Sequence, residues 1–171
     1  EKSYIIEGKG PRYYLTRRSI AYLRETTSID PRALRVMYKN GALSTTFIEH
    51  SLEVMKFYLQ LRTLYPGDFE TFTKIELYPF ASLPPSRPDL YLRGVSPNKG
   101  NPQEYMLDIV SNDPFFVIKK RISRFIEHFD SEVWLNEDRS RYPTILLVCP
   151  DNTLQDKVRG YVQRLLSATG I

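Results

Sequence analysis

Two carboxylates, and the basic residues that follow them, are the groups in this sequence best suited to chemistry. Asp89 follows Pro88 at the head of a β-type run, PDLYLR (88–93), and Asp108 lies inside the next, EYMLDIV (104–110). Carboxylates from neighbouring strands make hard oxygen ligands for Mg²⁺, which neutralises charge developing on a phosphodiester. Beyond the second run stand the cations Lys119, Lys120, Arg121 and Arg124. The same acids have a plainer reading, because Pro-Asp is a frequent turn pair and Asp108 is suited to cap or to pair with a neighbouring arginine. His50, in an apolar helical stripe, reads as a hydrogen-bonded core histidine, and His128 as a helix surface residue. Trp134 reads as a packing anchor and Cys149 as a small apolar side chain. One cysteine and two histidines cannot supply an internal disulfide or a Cys/His zinc site. There is no Gly-rich phosphate loop, Ser/His/Asp order or HExxH helix, so NTPase, triad hydrolase and zincin readings have no support.

The elements that must position these residues follow from periodicity. Residues 3–7 and 12–16 are short β-type runs joined by Gly8, Lys9, Gly10 and Pro11, a hairpin with a basic tip. Thr16 or Ser19 starts a short helix through Arg24, and Asp30-Pro31 opens another that ends near Asn40-Gly41. A long helix spans 46–62, with Thr46 and Glu49 at capping-box spacing. Phe47, Ile48, Met55, Tyr58, Leu59 and Arg62 trace one of its faces, and His50, Val54, Phe57 and Leu61 another, so both sides are expected to be covered. Strands are expected at 72–80, 88–93 and 104–110, three in a row as in a meander. Asn112, Asp113 and Pro114 then start a helix that turns Ile118, Ile122, Phe125 and Phe129 to a core and Lys120 and Arg124 away from it. TILLV (144–148) reads as a strand in the middle of a sheet, and a last helix, 153–168, turns Leu154, Val158, Val162 and Leu165 inward.

The chain has 171 residues, of which 42% are hydrophobic and 26% charged, the balance of a folded globular protein with one main core. No apolar run approaches the roughly 18 residues of a membrane span, and no signal-type segment opens the chain. A cytoplasmic protein is expected. Glu1 in place of Met suggests a portion upstream. The net charge of +4 is unevenly spread: residues 1–40 hold nine Lys/Arg against four Asp/Glu, and the remainder is nearly balanced. Lys9, Arg12, Arg17 and Arg18, interleaved with tyrosines, are the candidate nucleic-acid contacts.

From residue 43 the order is helix, three strands, helix, strand, helix, an α/β layer sandwich and also the core order of restriction-endonuclease-like nucleases. In that superfamily an Asp at the start of the second strand and an acid-x-Lys in the third hold Mg²⁺. Asp89 and Asp108 fall at these positions, Val110 stands where the lysine would be, and the basic role passes to the following helix, with Lys120 or Arg121 as its bearer. Glu49 or Glu53 is the candidate acid from the first helix.

GPRYYLTRRSIAYLRE (10–25), TFIEHSLEVMKFYLQLR (46–62), and RPDLYLR (87–93) with EYMLDIVSN (104–112) and KKRISRFIEHF (119–129) together resemble the replication-relaxation family of plasmid and mobile-element proteins. The resemblance implies a winged-helix region, of which residues 1–41 are the remainder, and an endonuclease-like α/β domain over 42–171. It also implies a role in plasmid replication, DNA relaxation or transfer. Family members commonly carry Glu-x-Asp in the third strand and a helix Lys; here Asp108-Ile109-Val110 and Arg121 stand in those places. The leading expectation is therefore a protein that binds duplex DNA, with a degenerate nuclease-like domain, no required cofactor, and replication or transfer proteins as partners. An active Mg²⁺-dependent endonuclease or nickase using Asp89 and Asp108 as ligands and Lys120 or Arg121 as charge stabiliser is the alternative; a protein assembly module is a third.

Overall fold

Ser44 opens the longest helix, its hydroxyl accepting from the Phe47 N–H at 3.3 Å and its carbonyl from the Ile48 N–H at 3.1 Å. Thr46 is thus not the cap, as its spacing from Glu49 suggests; it lies inside the first turn. The structure, a computed structural model, describes residues 15–27, 31, 34–35, 43–95, 102–110, 113–137 and 141–169. All but residues 15 and 16 of the hairpin expected at 3–7 and 12–16, with Lys9 and Arg12, lies outside them, as does most of the helix expected from Asp30 to Asn40. The chain divides into two compact units, Glu1–Glu49 and His50–Ile171.

In the first unit, α1 (Arg17–Thr26) begins at Thr16, whose hydroxyl accepts from the Ser19 N–H, satisfying a donor that the helix start leaves open. Ile20 is buried, as is Leu34 further on. Arg17, Arg18, Tyr22 and Arg24 are exposed.

The second unit is a mixed α/β layer structure. A four-stranded sheet in the order β1-β2-β3-β4 is built from β1 (Phe69–Thr73), β2 (Leu90–Gly94), β3 (Glu104–Ile109) and β4 (Thr144–Val148). The first three strands form the expected antiparallel meander, and β4 joins β3 in parallel after a helical crossover. Alternation along the strands divides the side chains between two cores. On one face, Leu90, Leu92, Leu107 and Ile109 pack beneath Val54, Phe57, Tyr58 and Leu61 of α2 (Thr45–Leu64). On the other, Tyr91 and Met106 meet Phe125 of α3 (Phe115–Asp130). Ile118, Ile122 and Val110 meet Val158 of α4 (Asn152–Thr169), with Leu147 of β4 against them.

Several expectations change. The first strand is Phe69–Thr73, not 72–80, because Glu76 accepts both the Thr73 N–H and hydroxyl at 2.7 Å and folds 74–79 into turns that sink Leu77 into the core. Among the described residues TILLV is an edge strand of this sheet rather than a central one, and none of its residues is fully buried: Ile145, Leu147 and Val148 pack partly into the cores while Leu146 stays 37% exposed. Only one stripe of α2 is covered; Phe47, Leu52, Met55 and Leu59 are exposed. His128 is buried rather than on the surface, because the chain returns after α3 and closes over it. His128 Nδ1 lies 2.9 Å from the Tyr142 hydroxyl, which in turn donates to the Phe125 carbonyl. Phe129 is only half-buried and stacks on Trp134, whose indole N–H donates to the Phe129 carbonyl at 3.0 Å.

Candidate functional site: a salt-linked carboxylate pair

The meander register builds the site. Leu90 pairs with Leu107, and the same register sets Asp89 opposite Asp108 on the face covered by α3. Each carboxylate binds backbone next to the other: Asp108 Oδ1 accepts the Asp89 N–H at 3.0 Å, and Asp89 Oδ2 accepts the Ile109 N–H at 2.9 Å. Upstream, Arg87 fastens the approach to β2 by donating to the carbonyls of Leu83 and Pro84, and the buried Pro88 delivers Asp89 into the strand.

Arg121 reaches both acids from α3, one turn from the core residues Ile118 and Phe125. Its Nη2 lies 2.8 Å from Asp89 Oδ1 and 2.9 Å from Asp108 Oδ1, and its Nε lies 2.5 Å from Asp108 Oδ2. Asp108 is thus held by one hydrogen bond, from Nη2 to Oδ1, and by a close ion-pair contact of Nε with Oδ2, which has no hydrogen-bond partner of its own. His50 completes the group from α2, its Nε2 3.1 Å from Asp89 Oδ1. The acids are buried, at 5% and 1% exposure for Asp89 and Asp108, while the His50 and Arg121 side chains keep 21% and 25%. The group therefore has a sealed anionic floor and a cationic rim.

The charges are mutually adjusted. Burial works to raise the Asp89 pKa, but the His50 hydrogen bond, the Arg121 charge and the Ile109 N–H outweigh it and hold this carboxyl below its usual range. Burial pushes Asp108 up, with help from the neighbouring Asp89 charge, against the pull of Arg121. The hydrogen bond to Asp89 holds the His50 pKa above its ordinary value, against burial and the charges of Arg121 and Lys74. Burial alone would lower Arg121, and the two carboxylates more than reverse it. With His50 protonated, two anions face two cations, the condition under which buried charge is tolerable.

Of the residues singled out from sequence, the structure thus brings Asp89, Asp108 and Arg121 together. Asp108 has the arginine partner that the plainer reading allowed. Lys120 is exposed on the far side of α3 with Arg124, and Glu49 and Glu53 are exposed on α2. Arg17 and Arg18 are exposed on α1, in the other unit. The residue that sequence reasoning left out of the site is His50. Its signal was a histidine in an apolar stripe, one turn before the sheet-packing residues of α2 begin; what it lacked was any local sign of a partner 39 positions away.

Fold and site define a mixed α/β protein whose sheet carries a buried carboxylate pair bridged by an arginine, with a histidine on one of the two acids. No family model, no curated protein and no solved structure matches this chain. No helix among the described residues is long and apolar enough to cross a membrane.

Proposed function

We propose that this chain is a duplex-DNA-binding protein of a plasmid or mobile element, acting in the cytoplasm in replication, relaxation or transfer of DNA. In this reading its α/β unit is a restriction-endonuclease-like domain that has lost cleavage. The observation that carries the reading is the placement of the carboxylate pair. Two acids face each other across β2 and β3, in a helix, three-strand, helix, strand, helix order, and a cation from the next helix lies on both. That is the order and the location expected of a metal-dependent phosphodiesterase, with arginine contacts where catalysis needs open ligand positions. The exposed Arg17, Arg18 and Arg24 on α1, beside Tyr22, supply a basic surface for backbone phosphates.

A gel shift tests the proposal. Duplex DNA should bind in preference to an acidic polymer of equal charge density. Replacing Lys9, Arg12, Arg17 and Arg18 with Ala should weaken binding to all duplex sequences alike, flattening the salt dependence by about 0.9 for each phosphate no longer neutralised. Equal binding of both polymers, or an unchanged slope, would sink the proposal. One observation favours assembly as a second role: Leu52, Met55 and Leu59 form an apolar stripe on α2 that the sheet does not cover.

A further inference from the structure

The nuclease-like reading calls for a divalent cation between Asp89 and Asp108, and the donor set here does not fit one. Asp89 Oδ1 is engaged by His50 and Arg121, Asp89 Oδ2 by the Ile109 N–H, Asp108 Oδ1 by the Asp89 N–H and Arg121, and Asp108 Oδ2 by Arg121 Nε. A hard cation takes about six oxygen ligands, whereas three of the four carboxylate oxygens already accept a hydrogen bond and the fourth, the buried Asp108 Oδ2, has no hydrogen-bond partner but lies in ion-pair contact with the Arg121 guanidinium. Two positions beyond Asp108, where a further side-chain ligand would stand, Val110 is packed among Ile118, Ile122 and Val158. Among the described residues no group of three or more His, Cys, Asp and Glu side chains gathers as a metal site. Nor is there a net negative charge to draw a dication in: Arg121 cancels one carboxylate permanently, since guanidinium does not deprotonate, and His50 offsets the other whenever it is protonated.

We infer that Arg121 is a resident cation that takes the place of a metal, tying β2, β3 and α3 together at the point where a divalent ion would otherwise do so. The inference deepens the proposed function and rests on its nuclease-like reading of this site. With Val110 standing where a further ligand would be, it makes the Arg121 guanidinium, and not any loss of Asp89 or Asp108, what closes the remaining acids to metal. The acids remain because the guanidinium needs them. If so, removing the guanidinium uncovers two carboxylates in a pocket shaped for a cation, and divalent ions should bind there.

The experiment follows thermal unfolding and the electron paramagnetic resonance signal of free Mn²⁺ in the full chain. The unaltered protein should neither deplete the Mn²⁺ signal nor gain stability at millimolar Mn²⁺ over a NaCl control of matched ionic strength. Arg121→Ala should melt at lower temperature without metal, then recover by about 2 °C or more at millimolar Mn²⁺. Arg121→Ala combined with Asp108→Asn should lose that recovery. Should Arg121→Ala not fold, Arg121→Gln, neutral and similar in length, takes its place with the same expectation. Mn²⁺ bound by the unaltered protein and lost in Asp89→Asn would overturn the inference. So would a folded Arg121→Ala or Arg121→Gln protein indifferent to Mn²⁺. The gel shift is independent of all this: loss of the DNA reading with the Mn²⁺ pattern intact leaves the arginine assignment standing, and DNA binding with the wrong Mn²⁺ pattern removes the assignment alone.

Discussion

Among single residues, burial decides which ion pairs matter. Arg93 and Glu104 pair across β2 and β3 at 3.3 Å with 43% of the arginine side chain in solvent, whereas Asp108 meets Arg121 at 1% exposure. An exposed pair contributes about 0 to 1 kcal/mol, while removing one partner of a buried pair leaves an uncompensated charge and costs about 3 to 5 kcal/mol. Asp108→Asn should therefore lower the free energy of urea unfolding several-fold more than Glu104→Gln, and equal losses would contradict the geometry of the carboxylate pair. His50 adds a pH dependence with a definite sign. Its pKa is raised on folding from the ordinary 6.5 by Asp89, so its contribution is fully present below about pH 6.5 and fades as pH rises through the higher folded value. The urea midpoint should fall between pH 6 and the alkaline side of that value, and His50→Gln should remove the step. A step that persists in His50→Gln would assign it to another group. The two acids and Arg121 were legible in the sequence as candidates for one site, but the His50 contact was not, and the distances, 19 positions from Asp89 to Asp108 and 13 from there to Arg121, are ones that only the register of β2 with β3 and the docking of α3 can close.

Helices and strands show where periodicity suffices. The stripe Ile118, Ile122 and Phe125 was readable because α3 lies flat on one core and its spacing is purely local. Phe125→Ala should cost about 3 to 5 kcal/mol, since the ring is 2% exposed among Leu77, Tyr91 and Met106, whereas the exposed Lys120→Ala should cost under about 1. Denaturation midpoints that shift equally for the two would mean α3 is turned differently. Periodicity failed where a distant segment closes over an element. His128 lies on the flank of the stripe, and only the return of Trp134 and Tyr142 makes that flank interior. β4 misled for another reason: an apolar run fixes neither whether strands lie on both its edges nor whether both its faces are covered, and here the strand lies at an edge with Leu146 exposed. Glu76 turned the expected 72–80 strand aside by offering Thr73 a carboxylate that competes with the ladder, a choice local in sequence but hidden by the apolar residues around it.

At the scale of the molecule, the order of elements leads to an expectation about catalysis that the site's own charges then oppose. The sheet sets two acids opposite each other as phosphodiester hydrolysis by a metal requires, but such hydrolysis is among the slowest uncatalysed reactions, so positioning without an activated water and without charge neutralisation at the reacting phosphate gives no useful rate. Arg121 commits its donors to Asp89 and Asp108, and Lys120 points away from them into solvent, so neither cation that the sequence offers is arranged to meet a substrate phosphate at this site. On the proposed nuclease-like reading, a site with its cation already committed to the acids should be silent rather than slow. Incubated with supercoiled plasmid at millimolar Mg²⁺, the protein should retain the DNA in a gel shift and leave its topology unchanged over hours. Nicking that vanishes in Asp89→Ala and Asp108→Ala while folding persists would establish an active nuclease and require Arg121 to swing clear of both acids in the DNA complex. Nicking that survives both substitutions would place any chemistry outside the carboxylate pair and leave the pair a structural tie alone.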